Sequence, residues 1–299
     1  MNGNDSLKRI ESAFSRRADV YRQNAKVQAQ SARILVERLA LKFQNETNIN
    51  TKRGSFAHLA STAVDLGCGA APIFLTKPFS SLHEARLLNY YIGLDLSHSM
   101  LVQARAAMNE LVYGEIDVKG AHGNNQALNS QVLQSSFEKL PLASASCGLL
   151  VSNFALQWCQ EWAAFLEELV RISAKNALIA LAFPVEGSFT TLSEKLAEFD
   201  LPTLNQLPNL RMILNMIRDH ADLRIDHFHC ETIAESFPSV SEALNSMKIV
   251  GAGERKSALS SNLPGKFRLW RDLLQSESAG GTCDISVEYK IGFVILQRT

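Results

Sequence analysis

Short apolar runs that alternate with helix-like segments constrain the fold of this 299-residue chain more than any other feature. The runs lie at residues 60–66, 90–96, 149–151 and 177–183, and each suits a strand that is buried on both faces of a sheet. Residues 161–172, between the last two runs, have a helical period. The alternation predicts an α/β fold with a doubly wound, parallel sheet.

The segments before and between these runs have weaker patterns. Small and apolar residues recur at three- and four-residue steps from Arg22 to Leu41, which predicts an amphipathic helix. The polar segment 45–55 predicts a loop. Residues 120–130 are rich in Gly and Asn and predict an insertion before a weak strand at 131–135.

The alternation stops after Pro184. Residues 188–199 and 208–218 look helical but no strand follows them directly, so they predict an inserted cap. The remainder predicts a strand, a helix and a closing strand, at residues 223–233, 239–247 and 285–296.

Composition argues against several classes of protein. The 30 basic and 30 acidic residues balance, so nothing requires a nucleic acid partner. The cysteines are odd in number and include no C-x-x-C pair, which fits neither a disulfide framework nor a metal site. Without a leader-like start or a membrane-length apolar run, we expect a cytoplasmic protein that does not bind a membrane.

A glycine turn follows the first strand. Gly67 and Gly69 permit positive φ and a close approach of the backbone to a ligand, and a helix beginning there would offer free N–H groups. Pro72 stands where a dinucleotide-binding turn would have a third glycine, and Asp65 would repel a pyrophosphate but favour an ammonium group. The alternative is that the glycines serve only as a turn.

Asp95 ends the second strand. A carboxylate at this point of an α/β fold usually accepts hydrogen bonds from the two hydroxyls of a ribose. The alternative is that Asp95 caps the next helix, for which Ser97 or Ser99 is also a candidate. The two aspartates therefore indicate a nucleoside ligand with an ammonium group.

The segments Asp65–Gly69 and Gly93–Ser97, with this order of strands, resemble class I methyltransferases. The resemblance covers residues 60–183 and implies a Rossmann-like, seven-stranded, mostly parallel sheet with S-adenosylmethionine as the cofactor. It also implies a set of cofactor-binding residues: Asp65, Gly67, Cys68, Gly69, Asp95, Leu96, Met100, Ser136, Phe137 and Asn153.

Three positions depart from the pattern of that family. Ala71 stands where glycine is favoured, and Ser136 and Gly148 stand where aspartate is common. These departures motivate an alternative from another class, a non-catalytic assembly protein that has kept the fold.

Further segments, 13–21 and 151–159 above all, resemble the malonyl-[acyl-carrier protein] O-methyltransferases of biotin synthesis. The likeness extends to residues 101–105, 246–252 and 289–298. It implies that the chain methylates the free carboxylate of a malonyl thioester, carried by acyl-carrier protein or by coenzyme A. The remaining alternative of the same fold is a methyltransferase for another small acid or a quinone.

The resemblance also divides the chain, as a single domain 1–299, into parts. It implies an N-terminal helical lid (1–44) and a cofactor-binding core (60–183). The sequence pattern predicts the inserted helical cap (187–221) and the C-terminal strands and helix that complete the sheet (222–299).

Four residues are the candidates for acceptor binding and catalysis. By the same resemblance, Tyr21 and Gln28 would donate to cofactor or acceptor from the lid, and Asn153 would face the methyl group. Trp158 would form a wall of the acceptor pocket. The alternative for Tyr21 and Trp158 is ordinary packing. A carboxylate acceptor is already ionised, so no general base is assigned.

An acidic carrier protein would need a basic docking surface. The candidates are late in the chain: Lys248, Arg255, Lys256, Lys266, Arg268 and Arg271. The alternative for this stretch is a solvated face. We also expect one arginine, not identified by the sequence, to bind the substrate carboxylate.

Overall fold

The computed structural model describes residues 3–48, 62–84, 88–118, 128–198, 207–249 and 285–299. Three helices come first: α1 (Gly3–Ser15), α2 (Ala18–Asn24) and α3 (Lys26–Asn48). Strands and helices then alternate: β1 (Thr62–Leu66), α4 (Lys77–Glu84), β2 (Tyr90–Asp95), α5 (His98–Val118), β3 (Asn129–Gln134), β4 (Cys147–Asn153), α6 (Trp162–Ile172) and β5 (Ser173–Pro184). The chain continues through α7 (Thr190–Glu198), α8 (Leu210–Asp219), β6 (Leu223–Phe237), α9 (Val240–Ile249) and β7 (Ile285–Arg298).

The strands form one seven-stranded sheet in the order β3-β2-β1-β4-β5-β7-β6. Neighbouring strands from β3 to β5 are parallel, and β7 is antiparallel to both β5 and β6. The predicted α/β class, the doubly wound arrangement and the mostly parallel sheet are therefore confirmed.

The buried strands separate two apolar layers. One layer joins α3 and α5 to one face of the sheet, through residues such as Leu35, Leu39 and Ala104. The other layer joins α6 and α8 to the opposite face, through residues such as Phe165, Leu169 and Ile213. Helices on both faces explain why β4 is buried along its whole length and has no alternation of polar and apolar residues.

The predicted helix at 22–41 was wrong at both ends. A break at Ala25, with φ −89° and ψ 43°, separates α2 from α3, and α3 continues through Asn48 into the segment that was predicted to be a loop. A polar sequence can extend a helix that has already formed, because each added residue gains a backbone hydrogen bond without a new nucleation step.

The helix expected directly after the glycine turn was also wrong. Residues 71–76 form turns, and α4 begins only at Lys77. Ala71 takes φ +60°, which a right-handed helix cannot include, and a residue before a proline is disfavoured in helical conformation. Of the predicted insertion, residues 120–127 lie outside the described residues, and β3 has already begun at Asn129.

Candidate active site

A cleft opens where the carboxyl ends of β1, β2 and β4 meet at one edge of the sheet. Its volume is about 880 Å³, including solvent at the mouth. The glycine turn after β1, the start of α5 and the loop after β3 form its base, while residues of α1, α2 and α3 form the opposite wall. Ligands of open α/β sheets bind at such an edge, because the connections there diverge to opposite faces.

The glycine turn is tied to the neighbouring strand. The N–H groups of Gly67 and Cys68 both donate to the carbonyl oxygen of Leu94, over 2.7 and 2.8 Å. Gly67 has φ +71°, and a Cβ atom there would lie 2.2 Å from Cβ of Ala155. The turn therefore requires glycine at this position on both conformational and steric grounds.

The Asp95 carboxylate holds the same turn from the other side. Its Oδ2 accepts from the N–H of Gly69 over 2.9 Å, and its Oδ1 accepts from the N–H of Ser97 over 2.8 Å. Burial raises the pKa of Asp95 to about 6, although these backbone donors act in the opposite direction. The side chain that caps α5 is Ser97, whose Oγ accepts from the N–H of Met100, so Asp95 is not the helix cap.

Asp65 lies behind the glycine turn and does not line the cleft. Tyr91 donates a hydrogen bond to its Oδ2 over 2.7 Å, while its buried Oδ1 has no hydrogen-bond partner among the described residues. Burial raises the pKa of Asp65 to about 7. Gly93 faces Asp65 across the two strands. A Cβ atom at this position would lie 2.8 Å from Sγ of Cys68 and 3.3 Å from Cε1 of Tyr91, so glycine leaves room for both side chains.

Ala71 has the buried left-handed backbone that explains a preference for glycine at this position. Its φ is +60°, a conformation that L residues other than Asn and Asp rarely adopt, and its side chain is fully buried. Gly148 is buried within β4, and Ser136 lines the cleft.

All four candidate acceptor residues line the cleft: Tyr21, Gln28, Asn153 and Trp158. Phe14 packs edge-on against Tyr21 and Trp158, with ring centroids 6.1 and 5.8 Å apart, and so connects the two elements that carry them. Burial, with Asp95 nearby, raises the pKa of Tyr21 well above its usual range. The indole Nε1 of Trp158 is buried and has no hydrogen-bond partner in the described part of the chain.

The loop after β3 closes the end of the cleft. Oγ of Ser135 donates to the carbonyl oxygens of Ser136 and Lys139, over 3.0 and 3.2 Å, which holds the loop as a turn. Phe137 lines the cleft and packs edge-on against Phe165 of α6. The loop thus presents the ring of Phe137, the hydroxyl of Ser136 and the carboxylate of Glu138 to a ligand.

The structure brings together every proposed cofactor residue except Asp65; those that line the cleft are Gly67, Cys68, Gly69, Asp95, Leu96, Met100, Ser136, Phe137 and Asn153. The sequence prediction missed Leu7, Ile10, Glu11 and Phe14, which line it from α1. Their spacing of three and four residues was a usable signal for a helix that faces the ligand.

The charges in the cleft have one sign. Glu11, Asp95 and Glu138 line it, and no Lys, Arg or His does so among the residues that the structure describes. The arginine expected to bind the substrate carboxylate is therefore not among the described lining residues. The basic side chains proposed for docking lie outside the residues whose side chains the structure describes. Because the described lining residues include carboxylates and no basic side chain, the cleft favours a positively charged ligand.

Comparisons with known proteins point to one class of enzyme. The methyltransferase domain family matches residues 64–181. A malonyl-[acyl-carrier protein] O-methyltransferase from Nitrosospira multiformis is 24% identical over 280 residues, which cover 89% of this chain and 83% of that protein. An enzyme of the same name from Erwinia billingiae is 29% identical over 244 residues, covering 81% and 79%.

This chain is a class I S-adenosylmethionine-dependent methyltransferase. Its cofactor is S-adenosylmethionine, and the cleft fits a sulfonium compound, since carboxylates line it and glycines leave room beside its base. The alternative of a non-catalytic assembly protein is set aside.

Solved structures support the fold. The YcgJ protein from Bacillus subtilis is similar with a TM-score of 0.50 and 14% identity, over 87% of this chain and 98% of that one. A Bacillus halodurans protein is similar with a TM-score of 0.50 and 13% identity, over 81% and 94%.

Within the described ranges, no helix is long and apolar enough to cross a membrane, and no group of three or more metal-ligating side chains could hold a metal ion.

Proposed function

We propose that the methyltransferase transfers a methyl group from S-adenosylmethionine to the free carboxylate of malonyl-acyl-carrier protein, an early step of biotin synthesis. The observation that carries the proposal is the extent of the similarity to malonyl-[acyl-carrier protein] O-methyltransferases. It covers 89% of this chain for the Nitrosospira multiformis enzyme, whereas the general methyltransferase domain matches only residues 64–181. The similarity thus extends well beyond the part common to many methyltransferases.

The side chains around the acceptor position suit a group that needs no base. When bound, S-adenosylmethionine supplies an electrophilic methyl group on a sulfonium centre. A malonyl carboxylate is already ionised near neutral pH. The raised pKa of Tyr21 keeps its phenol protonated, so it serves as a hydrogen-bond donor and not as a base.

We propose that neutral hydrogen-bond donors bind the carboxylate of the acceptor. The buried Nε1 of Trp158 has no partner, and a donor left unpaired in a buried site gains most from an ionised acceptor. Tyr21 and Gln28 line the same cleft and offer further donors. Neutral donors orient the carboxylate without a salt bridge, so its second oxygen keeps its nucleophilicity.

We assign the cofactor to the base of the cleft. Asp95 accepts from backbone N–H groups with both carboxylate oxygens, and the remaining lone pairs leave acceptor capacity for ribose hydroxyls. The unpartnered Oδ1 of Asp65 would stabilise the ammonium group from behind the turn. Gly67, Cys68, Gly69, Leu96, Met100 and Asn153 would contact the rest of the cofactor, with Ser136 and Phe137 beside the adenine.

The division of the chain into lid (1–44), core (60–183), cap (187–221) and C-terminal part (222–299) remains a proposal. The observation that supports the lid is that α1 and α2 contribute Leu7, Phe14 and Tyr21 to the wall opposite the sheet, where a lid would exclude water from the reaction. A cytoplasmic location and the lack of a nucleic acid partner remain predictions from the sequence.

A competition among acceptors tests the proposed substrate. Malonyl-acyl-carrier protein, malonyl-coenzyme A, a longer dicarboxylic thioester and a quinone would be offered together with labelled cofactor. We expect the label on the malonyl thioesters, with the carrier protein preferred to coenzyme A. Acetyl-acyl-carrier protein is the matched control, because it lacks only the free carboxylate. Methylation of another acid or the quinone, with none of the malonyl thioesters, would contradict the proposal.

A further inference from the structure

Ser31 is a buried hydroxyl of α3 that lies outside the cleft. It is 0% exposed, and nearby apolar residues of the same helix, such as Ala32 and Leu35, are also fully buried. Its Oγ donates a 2.7 Å hydrogen bond to Oδ1 of Asn153, at the end of β4. A buried hydroxyl without a partner would cost free energy, so the fold favours keeping this bond.

A second bond from α3 determines which way the Asn153 amide is turned. Nδ2 of Asn153 donates to the backbone carbonyl oxygen of Gln28 over 2.9 Å. That carbonyl can only accept, so the atom facing it must be the amide nitrogen. Oδ1 then faces Ser31, which must donate. One turn of α3 therefore holds the amide at both its oxygen and its nitrogen.

We propose that Ser31 is a positioning residue for methyl transfer, acting through Asn153. With its two bonds made, Asn153 keeps one N–H and one lone pair of Oδ1 in the wall of the cleft, in a fixed plane. Without the Ser31 hydroxyl, Oδ1 has no donor and the amide can turn about its last torsion. The inference rests on the proposed function only for the identity of the acceptor used in the assay.

A kinetic comparison separates positioning from stability. We expect Ser31→Ala to lower kcat on the order of tenfold, because small misplacements at a reacting centre are costly in rate. The dissociation constant of S-adenosylmethionine should change less than kcat, because Ser31 does not line the cleft and Asn153 is one of many residues proposed to contact the cofactor.

Ser173→Ala is the matched control. Ser173 is 3% exposed, and its Oγ donates to the carbonyl oxygen of Leu169 over 2.6 Å, away from the cleft. Both variants remove one buried serine hydroxyl, so both should lower the melting temperature. Only Ser31→Ala should lower kcat, and an equal loss of kcat in the two variants would overturn the proposal.

A double variant tests whether the effect passes through Asn153. Once Asn153→Ala has removed the amide, Ser31→Ala should lower kcat further by less than about twofold. Two losses that multiply would mean that Ser31 acts by another route, which would also overturn the proposal.

A spectroscopic readout needs no acceptor. The side-chain amide of Asn153 can be assigned in a ¹H–¹⁵N spectrum by its disappearance in Asn153→Ala. Ser31→Ala should accelerate its hydrogen exchange with solvent, and Ser173→Ala should not. If the wild-type protein methylated no malonyl thioester, the proposed function would fail while this readout still decided the role of Ser31; an unchanged exchange rate in Ser31→Ala would reject it.

Discussion

Tyr91 donates a 2.7 Å hydrogen bond to Oδ2 of Asp65, and the other carboxylate oxygen of Asp65 is buried without a partner. The two residues lie on adjacent parallel strands behind the glycine turn. Burial raises the pKa of Asp65 to about 7 and that of Asp95 to about 6. The free enzyme therefore holds two carboxyl groups that titrate near neutral pH, close to the place proposed for a cationic cofactor.

Cofactor affinity should rise with pH. A cation in the cleft favours the ionised carboxylates, so binding releases protons at pH values where they are protonated in the free enzyme. We expect the dissociation constant of S-adenosylmethionine to fall from about pH 5 to about pH 8, the range in which these two groups titrate. Asp65→Asn should remove the upper part of this dependence. Calorimetry in buffers of different ionisation enthalpy measures the protons released, and equal release in wild type and variant would contradict the assignment.

The stability of the free enzyme should have the opposite dependence. The pKa of Asp65 is higher in the folded state than in the unfolded chain, so its contribution to stability is fully present below the unfolded pKa and is lost as pH rises through about 7. We expect the free energy of unfolding of wild type relative to Asp65→Asn to decrease across this range. Urea unfolding at a series of pH values gives the comparison, and a difference that does not vary with pH would exclude the raised pKa.

Gly67→Ala should abolish measurable cofactor binding. The new Cβ atom would meet Cβ of Ala155 at 2.2 Å, and the backbone has φ +71°. Gly187→Ala is the matched control, because it has φ +91° outside the cleft and its nearest neighbour is the flexible end of Lys290. Both variants should lose about 1 kcal/mol or more of stability from backbone strain. Calorimetry should show lost affinity only in Gly67→Ala.

Asp95→Ala should weaken cofactor binding by more than about 1 kcal/mol, the scale of losing hydrogen bonds to a charged group. The structure adds a second cause, because Asp95 also holds the N–H groups of Gly69 and Ser97. Asp226→Ala is a suitable control. Asp226 is a partly buried carboxylate on β6, which is an edge strand of the sheet and is separated from β4 at the cleft by β5 and β7. An unchanged dissociation constant in Asp95→Ala would remove Asp95 from the site.

Trp158→Phe should affect the acceptor and not the cofactor. The change keeps an aromatic ring but removes the unpartnered indole N–H. We expect kcat/KM for the acceptor to fall by roughly tenfold, since a hydrogen bond to a charged group contributes about 1.5 kcal/mol or more. Trp162→Phe is the control, because Trp162 is buried against Phe165 and Phe183 and does not line the cleft. Similar kinetic losses in both variants would assign Trp158 to packing.

The sequence alone predicted the sheet and its ligand-binding edge. Buried parallel strands are continuous apolar runs, and their carboxyl ends must meet at one edge, so Gly67 and Asp95 could be placed together before their distance was known. Predicting that the aspartates and glycines belong to this edge required no knowledge of packing, because the chemistry of each residue type limits what it does at a strand end.

The contacts that orient the site could not be predicted in this way. Ser31 and Asn153 are separated by 122 residues, and no local period pairs a helix hydroxyl with a particular strand end. The turn at Ala71, which delays α4 to Lys77, depends on a positive φ that sequence patterns indicate only where the residue is glycine. The sequence pattern assigns Tyr91 only to a strand, because its hydrogen-bond partner depends on the register of β1 and β2.

The most direct test of the proposed reaction is mass spectrometry of malonyl-acyl-carrier protein after incubation with the enzyme and S-adenosylmethionine. We predict that the carrier gains the mass of one methyl group in place of a proton and that fragmentation locates it on the malonyl carboxylate. Acetyl-acyl-carrier protein should stay unchanged in the same mixture. An unmodified malonyl carrier, with an enzyme that calorimetry shows to bind the cofactor, would contradict the proposed reaction.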